Sequence, residues 1–170
     1  MKAVMLSIRP EWCDLIIRHK KTVELRKTRP RLQTPFKVYI WCTKARTFWA
    51  RVHGNGWQQL DERVIGEFIC DDIRRIGPEY CVVKEDIESA ISGSCLTVPQ
   101  AKNYAGWKPG MSYADLKDLY GWHISDLKIY DEPVKLKNFQ AKRLDRRGGG
   151  LKDICDPPQS WFYLEERTAR

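Results

Sequence analysis

The chain has 170 residues, 42% of them hydrophobic and 31% charged, a balance that suits one globular domain with a core of its own. No apolar run approaches the ~20 residues of a membrane span, and the short N-terminal stretch broken by Arg9-Pro10 is no secretory leader. A cytoplasmic location and no membrane partner are therefore expected. Six cysteines (Cys13, Cys42, Cys70, Cys81, Cys95, Cys155) contain no CxxC pair. Their spacing suits neither a zinc site nor a secreted disulfide scaffold, so free thiols acting as small hydrophobes are expected.

The net charge of +8 is unevenly spread. Residues 1–60 hold 13 Lys and Arg against 3 acids, residues 61–133 hold 8 against 14, and residues 134–170 hold 9 against 5. A basic portion of this kind meets polyanions. Seven tryptophans beside those cations favour nucleic acid, because bases stack on aromatic rings while phosphates pair with Lys and Arg. The alternative is a solvated basic surface.

In chain order, residues 2–8 read as a strand, and Pro10 opens a short amphipathic helix to about Lys20, with Trp12, Leu15 and Ile16 at helical spacing. Residues 22–26 alternate as a strand. Arg29 to Pro35 is a loop, and residues 36–42 form the clearest strand. Residues 43–62 read as a long exposed insertion with His53-Gly54-Asn55-Gly56 at its tip, and residues 64–73 as a strand apolar on both faces. Residues 84–91 and 112–120 read as helices, the second capped by Ser112. Between them, residues 95–99 begin an irregular or helical piece. Residues 122–130 read as a strand, 142–152 as a flexible basic loop and 161–164 as a last strand. Five to six strands with a few short helices in one domain, residues 1–170, predict an α+β barrel.

The chemistry concentrates at Lys21-Thr22-Val23-Glu24-Leu25-Arg26. Alternation puts Thr22, Glu24 and Arg26 on one strand face, with Lys21 at the entry. Glu67 is the second anomaly, a carboxylate within the apolar run Val64 to Cys70. A buried carboxylate is unfavourable unless paired, so Lys21 or Arg26 is its expected partner. Gly66 beside it would admit the close approach of a ligand or another backbone. Two plainer alternatives stand: Glu24–Arg26 as a surface pair worth less than ~1 kcal/mol, and Glu67 as a solvated edge residue.

Ser7-Ile-Arg9-Pro10-Glu-Trp12 followed by Lys21-Thr-Val-Glu24-Leu-Arg26 resembles the ASCH domain, which carries a GxKxxExR motif after its first helix. Lys21, Glu24 and Arg26 occupy its charged positions, and His19 stands where the motif has glycine. Gly66-Glu67-Phe68 and Gly121-Trp122-His123-Ile124-Ser125 resemble further family strands, and residues 26–30 and 157–161 are similar to stand-alone ASCH proteins of bacteria and their phages. The resemblance covers residues 4–130 and implies a PUA-like mixed β-barrel with short flanking helices. A C-terminal extension, 131–170, would pack back on it.

The resemblance further implies RNA or modified-nucleotide binding in a cleft beside the first helix. Ser7, Arg9, Trp12, Lys21, Glu24, Arg26, Lys27, Glu67, Trp122 and His123 would line it, with Trp12, Trp41 or Trp122 as stacking face. It leaves a second reading: a hydrolase on N4-acetylcytidine or on RNA, with Lys21, Glu24 and Glu67 catalytic. Against that, the amidohydrolase branch carries Thr at the position of Glu24, and Thr22 lies two residues early. A protein-interaction domain is the third reading. His19, His53 and His123 are scattered and Asp71-Asp72 reads as a solvated strand end, so no metal and no cofactor are expected. The oligomeric state is not readable.

Overall fold

The computed structural model describes residues 2–45, 48–51, 56–77, 79, 84–144 and 150–166. They divide between two compact units, one made of Met1–Arg18, Phe36–Ile69 and Asp126–Arg170, the other of His19–Pro35 and Cys70–Ser125. The tip residue His53 and the Arg146 to Gly149 segment lie outside the described residues.

The first unit is built on a seven-stranded sheet. Its members are β1 (Lys2–Ile8), β3 (Phe36–Cys42), β6 (Arg63–Cys70), β9 (Ser125–Val134), β10 (Ala141–Leu144), β11 (Leu151–Lys152) and β12 (Trp161–Glu166), in the order β11-β10-β12-β1-β3-β6-β9. β1 pairs in parallel with β3 and antiparallel with β12, so the C-terminal strand closes onto the N-terminal one. After its first residue β1 is buried throughout, which explains its continuous apolar run in place of alternation. One sheet face carries a core of Ala3, Met5, Tyr39, Trp41, Phe162 and Leu164 among others. The first helix, α1 (Pro10–Ile17), begins at its proline and buries Pro10, Cys13 and Ile16.

A two-stranded ribbon, β4 (Trp49–Arg51) with β5 (Trp57–Gln59), occupies the segment expected to be a plain exposed insertion. It is anchored: Ala50 and Leu60 are buried, and Gln58 donates to the Asp131 carbonyl at 2.8 Å.

The second unit has a three-stranded antiparallel sheet, β2 (Val23–Arg26), β8 (Leu119–His123) and β7 (Ile73–Ile76), in the order β2-β8-β7. Leu25, Ile76 and Leu119 pack with Ile87, Ala90, Ala101 and Ala105, from the helices α2 (Lys84–Ala90) and α3 (Val98–Ala105). The irregular piece anticipated at 95–99 is the start of α3. Thr97 Oγ1 accepts from the Gln100 N–H at 3.4 Å and Gln100 Oε1 from the Thr97 N–H at 2.8 Å, a complete capping box with Pro99 in the first turn.

Two expectations need correction, and a third is met in its coarser form. The helix expected at 112–120 is one 3-10 turn, Tyr113–Asp115, capped by Ser112 as anticipated; Leu119 onward is strand, because it pairs with Ile76 and fills the core. The strand expected over 122–130 is two strands, broken at Ile124. The described ladders run in open order, so the mixed, sheet-dominated α+β architecture is present but the strand pairings do not close a barrel. No helix among the described residues is long and apolar enough to cross a membrane.

Candidate functional site

Between α1 and β2 the chain turns through His19, at φ 56°. This left-handed conformation is the usual end of a helix and is easiest for glycine, which accounts for glycine in the motif that His19 interrupts. The turn delivers Lys21 into the protein interior, where it is 2% exposed. Its Nζ lies 3.2 Å from Glu24 Oε2 and donates to the Ser94 carbonyl at 2.6 Å. On the other side of the carboxylate, Arg26 Nη2 lies 3.0 Å from Glu24 Oε1. Glu24 and Arg26 are 6% and 9% exposed, so one carboxylate and two cations share a nearly closed environment with one net positive charge. Register places Glu24 opposite Trp122 and Arg26 opposite Tyr120 on one sheet face.

The turn that follows α2 holds this arrangement in place. The Gly93 carbonyl accepts from the N–H groups of both Thr22 and Val23, at 2.9 and 3.0 Å, and Cys95 Sγ donates to the Lys20 carbonyl at 3.3 Å. Gly93 has φ +78°, and a Cβ there would stand 2.3 Å from Thr22 Oγ1. Ser94 is fully buried and its hydroxyl accepts from the Leu96 N–H. Residues 20–24 are therefore clasped by residues 93–95. A Ser-Gly-Ser-Cys cluster at 92–95 signals a turn in the sequence, but nothing local says that its carbonyls receive a lysine more than seventy residues away.

Other anticipated residues go elsewhere. Glu67 belongs to the first unit and is only half-buried. Its partners there are Tyr130, which donates at 2.6 Å, and Lys37 at 3.8 Å, rather than the Lys21 or Arg26 expected for it. Lys37 also pairs with Glu166 at 2.9 Å, and Tyr39 donates to the same carboxylate. Burial, then the bond to Glu166, raises the Tyr39 phenol; burial, then the bond to Glu67, raises that of Tyr130. Both phenols thus stay neutral donors. Gly66 admits backbone: a Cβ there would lie 2.4 Å from the Lys128 carbonyl.

Ser7 is buried, donating its hydroxyl to the Pro158 carbonyl, and serves to tie down the C-terminal segment. Trp122 and Trp41 are 0% and 5% exposed and offer no open ring face. Trp12 is half-buried. Arg9 is exposed beside Glu11, and Lys27 is exposed with its ammonium 5.2 Å from the centre of the Tyr104 ring. His123 Nδ1 lies 2.6 Å from Asp71 Oδ1, and the hydrogen bond from His123 holds the Asp71 carboxyl below the usual carboxylate range. Asp71 is thus exposed, as expected of a strand end, but engaged. Among the described residues no three His, Cys, Asp or Glu side chains converge on a point that would hold a metal ion.

The same architecture occurs in solved structures. A crystal structure of ASCH from Zymomonas mobilis aligns with a TM-score of 0.60 at 18% identity, over 96% of this chain and 87% of that one. Structures of a tyrosine and a serine variant of that protein align at TM-scores of 0.60 and 0.61. The fold is accordingly the ASCH fold. No family model matches the chain, and no curated protein matches it.

Proposed function

We propose that the chain binds nucleic acid, RNA or a modified nucleotide, with Lys21, Glu24 and Arg26 as its reading centre and exposed Lys and Arg gripping phosphates. The observation that carries this is the buried triad itself, three charges within 3.2 Å contacts at 2–9% exposure. Buried ion pairs are poor stabilisers, and well-packed apolar residues often do as well or better. A chain that nonetheless holds two cations against one carboxylate has groups suited to recognition. Glu24 can accept from an exocyclic amine, while Lys21 and Arg26 can donate to a base carbonyl. Glu24 and Arg26 are less deeply buried than Lys21. The ASCH fold and the basic composition support the reading.

The test is a mobility shift with labelled single-stranded RNA and DNA at low salt, followed by titration with a panel of free and modified nucleosides. A shift with RNA, weakened by Glu24→Gln, is expected. No shift with any probe would overturn the reading. Release of acetate from N4-acetylcytidine, or cleavage of the labelled RNA, would make the chain a hydrolase instead.

A further inference from the structure

The ribbon β4–β5 supplies what the triad lacks, open aromatic surface. Trp57 is 67% exposed and Trp49 50%, whereas Trp41, Trp107 and Trp122 are buried. Register settles their relation. Trp49 stands opposite Gln59 and Arg51 opposite Trp57, so the two indoles share one ribbon face as diagonal neighbours, ~7–8 Å apart for such a pair. That spacing is about two base steps along a strand. The opposite ribbon face is committed to the protein: Ala50 is buried and Gln58 is bonded to the Asp131 carbonyl.

Charge selects the occupant. Residues 43–60 contain Lys44, Arg46, Arg51 and His53 and no acid. The acid that follows, Asp61, is 4% exposed and accepts from the Phe48 N–H at 3.3 Å, which keeps its charge from the ribbon surface. A partner protein with an apolar face would be met by exposed aliphatic side chains, yet among the described residues of this segment the large exposed apolar side chains are Trp49 and Trp57. Exposed flat rings on a segment whose sequence carries cations and no acid of its own are the equipment of a single-strand binder, in which rings take bases and cations take phosphates.

We infer that the Trp49–Trp57 face is a stacking platform for single-stranded nucleic acid, built on residues other than Lys21, Glu24 and Arg26. The inference rests on the nucleic-acid reading above and names the part of the molecule that holds unpaired bases.

The experiment titrates the full chain with short homopolymeric RNA and DNA oligonucleotides, following tryptophan fluorescence and, independently, anisotropy of a labelled oligonucleotide. Trp49→Ala, Trp57→Ala and the conservative Trp57→Phe are compared with the parent. Both indoles are exposed, so the variants are expected to fold, and melting temperature checks this. Each alanine variant should weaken binding at least about fivefold, and Trp57→Phe should recover most of the loss. The salt dependence should stay that of the parent, since no phosphate contact has been removed. Lys44→Ala should do the reverse and flatten it. If the parent binds oligonucleotides and both alanine variants bind equally well, the platform is overturned while the nucleic-acid reading survives. If the parent binds no oligonucleotide, both fall. Fluorescence that responds to anionic phospholipid vesicles and not to oligonucleotides would assign the face to a lipid surface and overturn the inference.

Discussion

Lys21 is the residue on which the site turns, because its ammonium joins strand β2 to the turn after α2 through Glu24 and Ser94. Lys21→Met keeps the volume and removes the charge, leaving Glu24 with Arg26 alone and the Ser94 carbonyl without its donor. Losing one partner of a buried ionic group is strongly destabilising, and the remaining Arg26 softens the effect to about 2 kcal/mol or more, some 4–8 °C in melting temperature. Glu24→Gln keeps the shape and should weaken binding of amino-bearing bases by ~1–3 kcal/mol. If both variants melt and bind like the parent, the triad is an inert ion pair. A second residue-scale outcome concerns pH. Asp71 is held below its ordinary range by His123, so its share of stability is present above the usual carboxylate range and disappears as pH falls through the depressed value. In His123→Ala the Asp71 titration, followed by carboxyl NMR, should move back up. An unmoved midpoint would show that the 2.6 Å contact carries no electrostatic weight. Of these groups, the trio Lys21, Glu24 and Arg26 is legible in the sequence from strand alternation, whereas Glu67's partners are not. Lys37 and Tyr130 reach Glu67 from β3 and β9, and only three-dimensional pairing brings those strands beside β6.

Among the elements, the clasp around β2 offers the sharpest test. Gly93→Ala would force an L side chain into φ +78°, which costs about 1–2 kcal/mol, and would press a Cβ against Thr22. A fall in melting temperature of several degrees is expected, together with weaker nucleic-acid binding, since residues 20–24 lose their register with residues 93–95. Unchanged melting and binding would show the turn to be a passive linker. The same element scale explains what the sequence conceals. β1 and β3 each run seven residues, and their apolar runs announce them. β4, β5, β7, β10 and β11 have four residues or fewer, too short for a period to repeat, and they exist because a partner strand supplies the register. Helical reading of 112–120 failed for a related reason. Ser112 is a true cap, but the pairing of Leu119 with Ile76 ends the helix after one turn.

At the scale of the whole molecule, the charge distribution makes a quantitative demand on any nucleic-acid complex. Lys21 and Arg26 are engaged by Glu24, and Lys37 by Glu166 and Glu67, so these cations are not the ones to neutralise phosphates. In such a complex the exposed Lys2, Arg9, Lys27, Arg29 and Lys44 would carry that task, while the acid-rich stretch 61–133 disfavours a polyanion along its own surface. Each phosphate neutralised on a single strand contributes about −0.7 to the slope of log K against log salt. Three such contacts give a slope near −2, an affinity loss of about a hundredfold for a tenfold rise in salt. Lys27→Ala should reduce the magnitude of the slope by about 0.7 and lower affinity for all sequences alike. Glu24→Gln should lower affinity for selected bases and leave the slope as it is. An affinity that stays flat between low and moderate salt would mean that the surplus of Lys and Arg serves solubility and that the exposed cations grip no phosphate.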